Sequence, residues 1–227
     1  MNSEDFTHEF RRRLATHRIW QHPFFALLRS HPTIFLLQRW AIQAGRIDQA
    51  FALILDNMIK NPAISPKMHH PIQENLQDEL GNGDPTQEHF TLFRNVLQEL
   101  QISEDEYLKT PMTKATKQII TSLTKASCNH NSIQILAMMA SEELLCPQEF
   151  PLLLDVIEQF VPKDQLSYFY VHISADCRHA NDLIRLCYFA ANGREDLLKE
   201  IFMWQEIDLQ NNILFYDDLL TLLNKKN

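Results

Sequence analysis

Glycine is scarce in this chain, with four in 227 residues, and no Asn-Gly or Asp-Gly pair of the kind that turns a β-hairpin falls between alternating apolar runs. Sheet architectures are therefore not expected, and apolar residues recur at the spacing of amphipathic helices. Cysteine is equally sparse. Cys128, Cys146, Cys177 and Cys187 form no C-x-x-C pair and are too few for a disulfide framework, so free, mostly buried thiols in a reducing, cytoplasmic compartment are expected. Basic charge is in deficit: 21 Lys and Arg against 29 Asp and Glu give a net −8, which argues against the cationic surface that nucleic-acid phosphates require. The one basic run, Arg11-Arg12-Arg13, reads as a solvated helix face. No uninterrupted apolar stretch reaches membrane-spanning length, and the charged start MNSEDFTHEFRRR is unlike a signal peptide.

What remains is a chain that is 45% hydrophobic and long enough to bury one core, read here as a single all-α domain over residues 1–227. The periodicity predicts helices over 5–17, 22–30, 34–59 with a break at Gly45, 72–80, 87–100, 112–126, 132–146, 147–160, 165–191 and 196–223. Asp84-Pro85-Thr86-Gln87 reads as the capped start of a helix. His69-His70 falls in a proline-punctuated connector, and Ser103 caps a short helix that begins Glu104-Asp105-Glu106. Short connections imply antiparallel neighbours in a bundle, an architecture that often places metal between facing helices.

His172, Asp176 and His179 form an H-x3-D-x2-H run in the segment SYFYVHISADCRHANDLIRLCYFA, which otherwise reads as one buried helix. At 100° per residue these offsets place an imidazole, a carboxylate and a second imidazole on one stripe. Three titratable groups are costly to bury unpaired. A divalent cation satisfies them together, as would a pairing of two core histidines with one aspartate. In DELGNGDPTQEHF, Glu79 closes one helix and His89 lies just inside the next, and the turn between them lets both face one interior point. In ILAMMASEELL, Glu142 and Glu143 interrupt a small, apolar helix face, and spacing favours Glu142 as the inward one. Glu79, His89, Glu142, His172, Asp176 and His179 together supply the mixed oxygen and nitrogen set suited to a pair of iron or manganese ions.

These motifs, E-x9-H, a glutamate 30 residues before the next histidine, and H-x3-D-x2-H, resemble those of the haem-oxygenase-like di-iron oxidases and oxygenases, over roughly residues 20–215. The resemblance implies a seven-helix haem-oxygenase-like fold, two non-haem Fe(II) ions or an Fe/Mn pair, and O2 as co-substrate. Relatives act on amino acids, fatty acids and N-hydroxylated or guanidino-bearing substrates. Length and ligand positions are also similar to a member that converts a brominated tryptophan to an indole nitrile. Members that consume a tyrosine of their own carry it beside the second-helix glutamate and early in the chain. Ser141 and Phe25 stand at the corresponding places here, which argues against that mechanism.

Three carboxylates offset three of the four charges on two Fe(II) ions, and the positive charge left over favours an anionic partner such as an α-carboxylate. The expected function is thus O2-dependent oxidation of an amino acid or amino-acid-like carboxylate, with a halogenated tryptophan as the sharpest form of that expectation. Tyr168, one turn before His172, is placed as a catalytic residue that hydrogen-bonds a ligand. Two other readings compete. One is an interaction protein in which metal only stabilises the bundle. The other is a metal-free hydrolase, for which Cys177 is poorly aimed beside Asp176. The expected partners are a small molecule and, for assembly, a second copy of the chain in a homodimer.

Overall fold

The computed structural model describes residues 1–224. Ten α-helices lie among them: α1 (Ser3–Ala15), α2 (Pro23–Ser30), α3 (Ile34–Lys60), α4 (His69–Glu79), α5 (His89–Glu99), α6 (Glu104–Lys109), α7 (Lys114–Cys128), α8 (Ser132–Ile157), α9 (Ser167–Ala191) and α10 (Glu195–Asn224). There is no strand among the described residues. Short polar side chains start several helices, Ser103 among them as the sequence suggests. Asn2, Thr33, Ser103, Thr113 and Asn131 each accept a hydrogen bond from a first-turn amide. Asn192, left-handed at φ 47°, closes α9.

One hydrophobic core runs through the bundle. α8 and α9 form its most extensive pair, α10 covers α8 and α7, and α3 packs against α7, α4 and α5. No described helix is long and apolar enough to cross a membrane.

Several boundaries depart from the expected ones. Gly45 does not break α3, which runs unbroken to Lys60. Its role is steric: a Cβ there would stand 2.5 Å from the Phe93 ring, so hydrogen at this position lets α5 approach α3. α8 continues through Pro147, where a break was expected, and through Pro151. The two missing amides leave the carbonyls of Glu143 and Pro147 without their usual intrahelical donors. His69 and His70 open α4 and are not in a loop, and the His69 ring packs back onto the Ile64 carbonyl at 3.1 Å. Of the four free cysteines, Cys128 and Cys177 are exposed rather than buried. Arg12 and Arg13 pair with Glu9 on the surface of α1, as a solvated face would.

Candidate metal centre

The buried stripe of α9 carries His172, Asp176 and His179, at 5%, 2% and 3% exposure, inward from the middle of a helix. They do not converge on one point. His172 meets Glu79 and His89, and in this first group one ligand atom from each residue lies within 4.8 Å of the others. Asp176 and His179 meet Glu143, under the same spacing limit. The two groups are near enough for the charges of Glu79 and Glu143 to act on each other.

Glu79 is the last residue of α4 and His89 the first of α5. The chain reverses between them through Gly81, Asn82 and Gly83, at φ 70°, 53° and 90°. A Cβ on Gly81 would fall 2.6 Å from the Glu88 amide nitrogen, so the turn needs glycine for space as well as for its left-handed backbone. The expected helix start at Asp84 is an Asx turn instead. The Asp84 carboxylate accepts from the Thr86 amide and hydroxyl, and α5 begins only at His89.

Glu143, and not Glu142, completes the second group. Adjacent helix positions differ by 100°, so one of the pair must turn away. Glu142 points toward α10, where it accepts from Asn212 Nδ2 at 3.0 Å and lies against Asp208. Asn75 of α4 donates to Glu143 Oε1 and fixes the other carboxylate.

Partners outside the groups set the histidine tautomers. His172 Nδ1 donates to the Tyr168 carbonyl at 2.7 Å, which leaves Nε2 free. His179 Nε2 lies 2.9 Å from Asp78 Oδ2, which leaves Nδ1 facing Glu143 and Asp176 at 3.4 and 3.8 Å. Asp78 is further fixed by Arg178.

Sequence reasoning missed Asp48 of α3. Its side chain is 8% exposed, its Oδ1 accepts from the Tyr168 hydroxyl at 2.9 Å and lies 4.0 Å from His172 Nε2. A signal was present, because Asp48 falls on the same α3 stripe as Leu37, Ala41, Ala44 and Leu55. Tyr168 therefore holds Asp48, and its ring lies 4.2 Å from that of His172.

The electrostatics are those of a site short of positive charge. Burial, then Glu143, raises Asp176 well above the ordinary carboxylate range. Burial raises Glu79 as well, against the pull of His89. Burial lowers His172 to about 3, helped by the neighbouring His89. Burial would also lower His179, but Asp176, Glu143 and Asp78 outweigh it and push that ring up to about 11. Without metal, a proton on His179 supplies part of the missing charge.

Buried polar atoms without a hydrogen bond mark both groups: Asp48 Oδ2 and His89 Nδ1 at the first, Asp176 Oδ1 and His179 Nδ1 at the second. His89 Nδ1 stands 3.0 Å from Glu79 Oε1 and still makes no well-directed hydrogen bond. Atoms this close that do not bond one another are aimed at a common point, and each orphan costs about 1–3 kcal/mol if nothing fills that point. The residues present thus fit two divalent ions, one in a two-His-one-carboxylate set and one in a two-carboxylate-one-His set. Glu79, Glu143, His172 and Asp176 also line one cavity, with Asp48, Trp40, Phe150, Glu149 and Tyr216 among its other walls.

The fold recurs in solved structures. The chain is similar to a CADD-like protein of unknown function from Nostoc punctiforme, at TM-score 0.78 and 16% identity over 99% of this chain and 97% of that one. It is similar to a TenA homologue from Pseudomonas syringae pv. tomato, at 0.75 and 11% over 96% and 91%. A domain of unknown function with a haem-oxygenase-like fold from Shewanella denitrificans gives 0.71 and 14% over 97% and 91%. At these identities the likeness shows the haem-oxygenase-like fold. No curated protein matches the sequence, and nothing in these comparisons singles out a tryptophan-to-nitrile enzyme. The model of the iron-containing redox enzymes matches residues 38–205, most of the chain, and the protein belongs to that family.

Proposed function

We propose that the protein is an O2-dependent, non-haem di-iron oxidase or oxygenase that acts on an amino acid or amino-acid-like carboxylate. The observation that carries this reading is the pair of buried ligand groups, Glu79/His89/His172 and Glu143/Asp176/His179, lining one cavity through Glu79, His172, Glu143 and Asp176. A structural metal would need neither two ions nor a cavity, whereas a catalytic one needs an open position beside bound substrate. Iron held there supplies the electrons for O2 reduction that side chains cannot.

The chain's own residues have separate tasks. Asn75 and Asp78 hold Glu143 and His179 in orientation, and Trp40, Phe150 and Tyr216 keep the cavity apolar. Glu79, Glu143 and Asp176 offset three of the four charges of two Fe(II) ions, which leaves one for the carboxylate of a substrate. Asp48, raised to about 7 chiefly by burial, keeps a proton next to the first group up to about neutral pH, and Tyr168 orients it. Tyr168 thus acts as a positioning residue through Asp48.

Anaerobic loading with Fe(II), metal analysis, and O2 uptake with an amino-acid panel read by mass spectrometry test the reading. Two irons per chain and substrate-stimulated O2 consumption are expected. Iron binding without O2 consumption would reduce the metal to a structural part, and failure to bind iron would remove the proposal.

A further inference from the structure

Three carboxylates in the cavity serve neither ligand group, Asp48, Glu142 and Glu149; Tyr168 donates to the first and Asn212 to the second, and the third stands against aromatic walls. Glu149 follows Glu143 by six residues on α8, a rise of about 9 Å, and lies two turns beyond Glu142 on the same stripe. Its side chain is 6% exposed and lines the cavity. Trp40 Nε1 donates to its Oε1 at 3.3 Å, and the Tyr216 hydroxyl is its second neighbour. Both donors are neutral. Among the described residues no Lys or Arg lines this cavity, and its one imidazole, His172, belongs to the first ligand group. An ionised carboxylate buried against neutral donors alone is costly, and no cationic side chain lining the cavity offsets that cost.

The walls around it are aromatic: Trp40, Phe150, Phe215 and Tyr216. Aromatic faces beside a carboxylate form a receptor for an organic cation, because the ring quadrupoles and the negative charge attract the same ligand. We propose that Glu149 is the recognition residue for a cationic nitrogen, so that the substrate is a carboxylate bearing an amine or guanidine about two helical turns from its metal-facing end. The substrate class rests on the di-iron reading above; the cation site itself does not. Burial raises the Glu149 carboxyl to about 7, in keeping with an acid whose ionised form waits for a cation.

The test uses the full chain, loaded with Mn(II) and metal-free, and calorimetry with 6-aminohexanoate, hexanoate and indole-3-propionate. In the Mn(II)-loaded protein 6-aminohexanoate should bind roughly tenfold more tightly than hexanoate, and Glu149→Gln should erase the preference while leaving hexanoate binding unchanged. Glu149→Asp keeps the charge but withdraws it by one methylene, so it should shift the optimum to 7-aminoheptanoate, and it serves if the glutamine variant does not fold. Equal or tighter binding of hexanoate, failure of all probes to bind, or a preference that survives Glu149→Gln overturns the proposal. Tightest binding of indole-3-propionate overturns it as well, in favour of a neutral N–H ligand. An amine preference in a chain that binds no Mn(II) would sink the di-iron reading alone, and Mn(II) binding without the preference would sink this inference alone.

Discussion

The two ligand groups are built from opposite parts of the helix. Glu143, Asp176 and His179 rise from the interiors of α8 and α9, the most extensively packed pair in the bundle. Glu79 and His89 stand at the last residue of one helix and the first of the next, joined by three successive left-handed residues. The former is placed by side-chain packing, which fixes rotamers as a by-product of excluding water. The latter depends on the geometry of one turn, and helix ends belong to the less stable parts of a structure. His172 is the exception: it lends a mid-helix ligand to the turn-built group.

The largest effect should come from deleting ligands of the packed group. Asp176→Ala or His179→Ala should lower bound iron from two ions to one with unchanged far-UV circular dichroism. Glu143→Ala should do the same and Glu142→Gln should not, because Glu142 is turned to Asn212. The reverse result for the two glutamates would restore the assignment that spacing favoured.

The turn-built group should show itself through pH. Asp48, raised to about 7 by burial and then by the charge of Glu79, keeps more protons in the native chain than in the unfolded one above its ordinary value of 3.8. Its stabilising contribution is complete below that value and disappears as pH rises through 7, a loss on the order of 4 kcal/mol as an upper bound. His179, raised to about 11, acts in the same sense, and His172, lowered to about 3, opposes it only below its ordinary 6.5. Urea unfolding of the metal-free protein at about pH 5 and about pH 8 should show this decline, flattened in Asp48→Asn. An identical pH dependence in the variant would show that Asp48 is not the group responsible.

A smaller loss is expected from Asp78→Ala, which frees the His179 ring. Metal affinity at the packed group should fall about 10- to 100-fold, with a smaller loss passed to the turn-built group, and Asp78→Glu should recover part of it. Loss at both groups alike would point to general unfolding of α4. Gly81→Ala should change bound metal least, although the turn takes up roughly 1–3 kcal/mol of strain. It should speed hydrogen exchange of amides in the first turn of α5 and leave α9 protected. Equal exchange in both helices would erase the contrast between the groups.

How much of this was legible in the sequence follows the same division. H-x3-D-x2-H could be read because helical periodicity converts spacing directly into a shared stripe. What spacing could not show is that His172 and His179, seven residues apart along the helix, serve different groups. Glu79 and His89 were legible through the Gly-Asn-Gly turn between them, although the start of α5 was not, since Asp-Pro-Thr suits an Asx turn as well as an N-cap. The choice between Glu142 and Glu143 was out of reach because it depends on α4 and α10, which supply Asn75 to one and Asn212 to the other. Asp48 was overlooked because one acid in a long amphipathic helix looks like surface until its partner, Tyr168, is known to lie 120 residues away. The continuity of α3 was likewise hidden, since Gly45 looks like a breaker until Phe93 is seen against it.

Helix α4 places Asn75 on Glu143, Asp78 on His179 and Glu79 in the other group, all within five consecutive residues. One rigid segment therefore reads the state of both groups at once. Asn75 and Asp78 already hold the neighbour's ligands, so an ion that pins Glu79 would steady the same segment, and occupancy of one group should raise the affinity of the other. Linkage makes that coupling reciprocal, by the same factor whichever ion arrives first. The protein should accordingly fill as a pair, with half-loaded chains rarer than independent binding would allow.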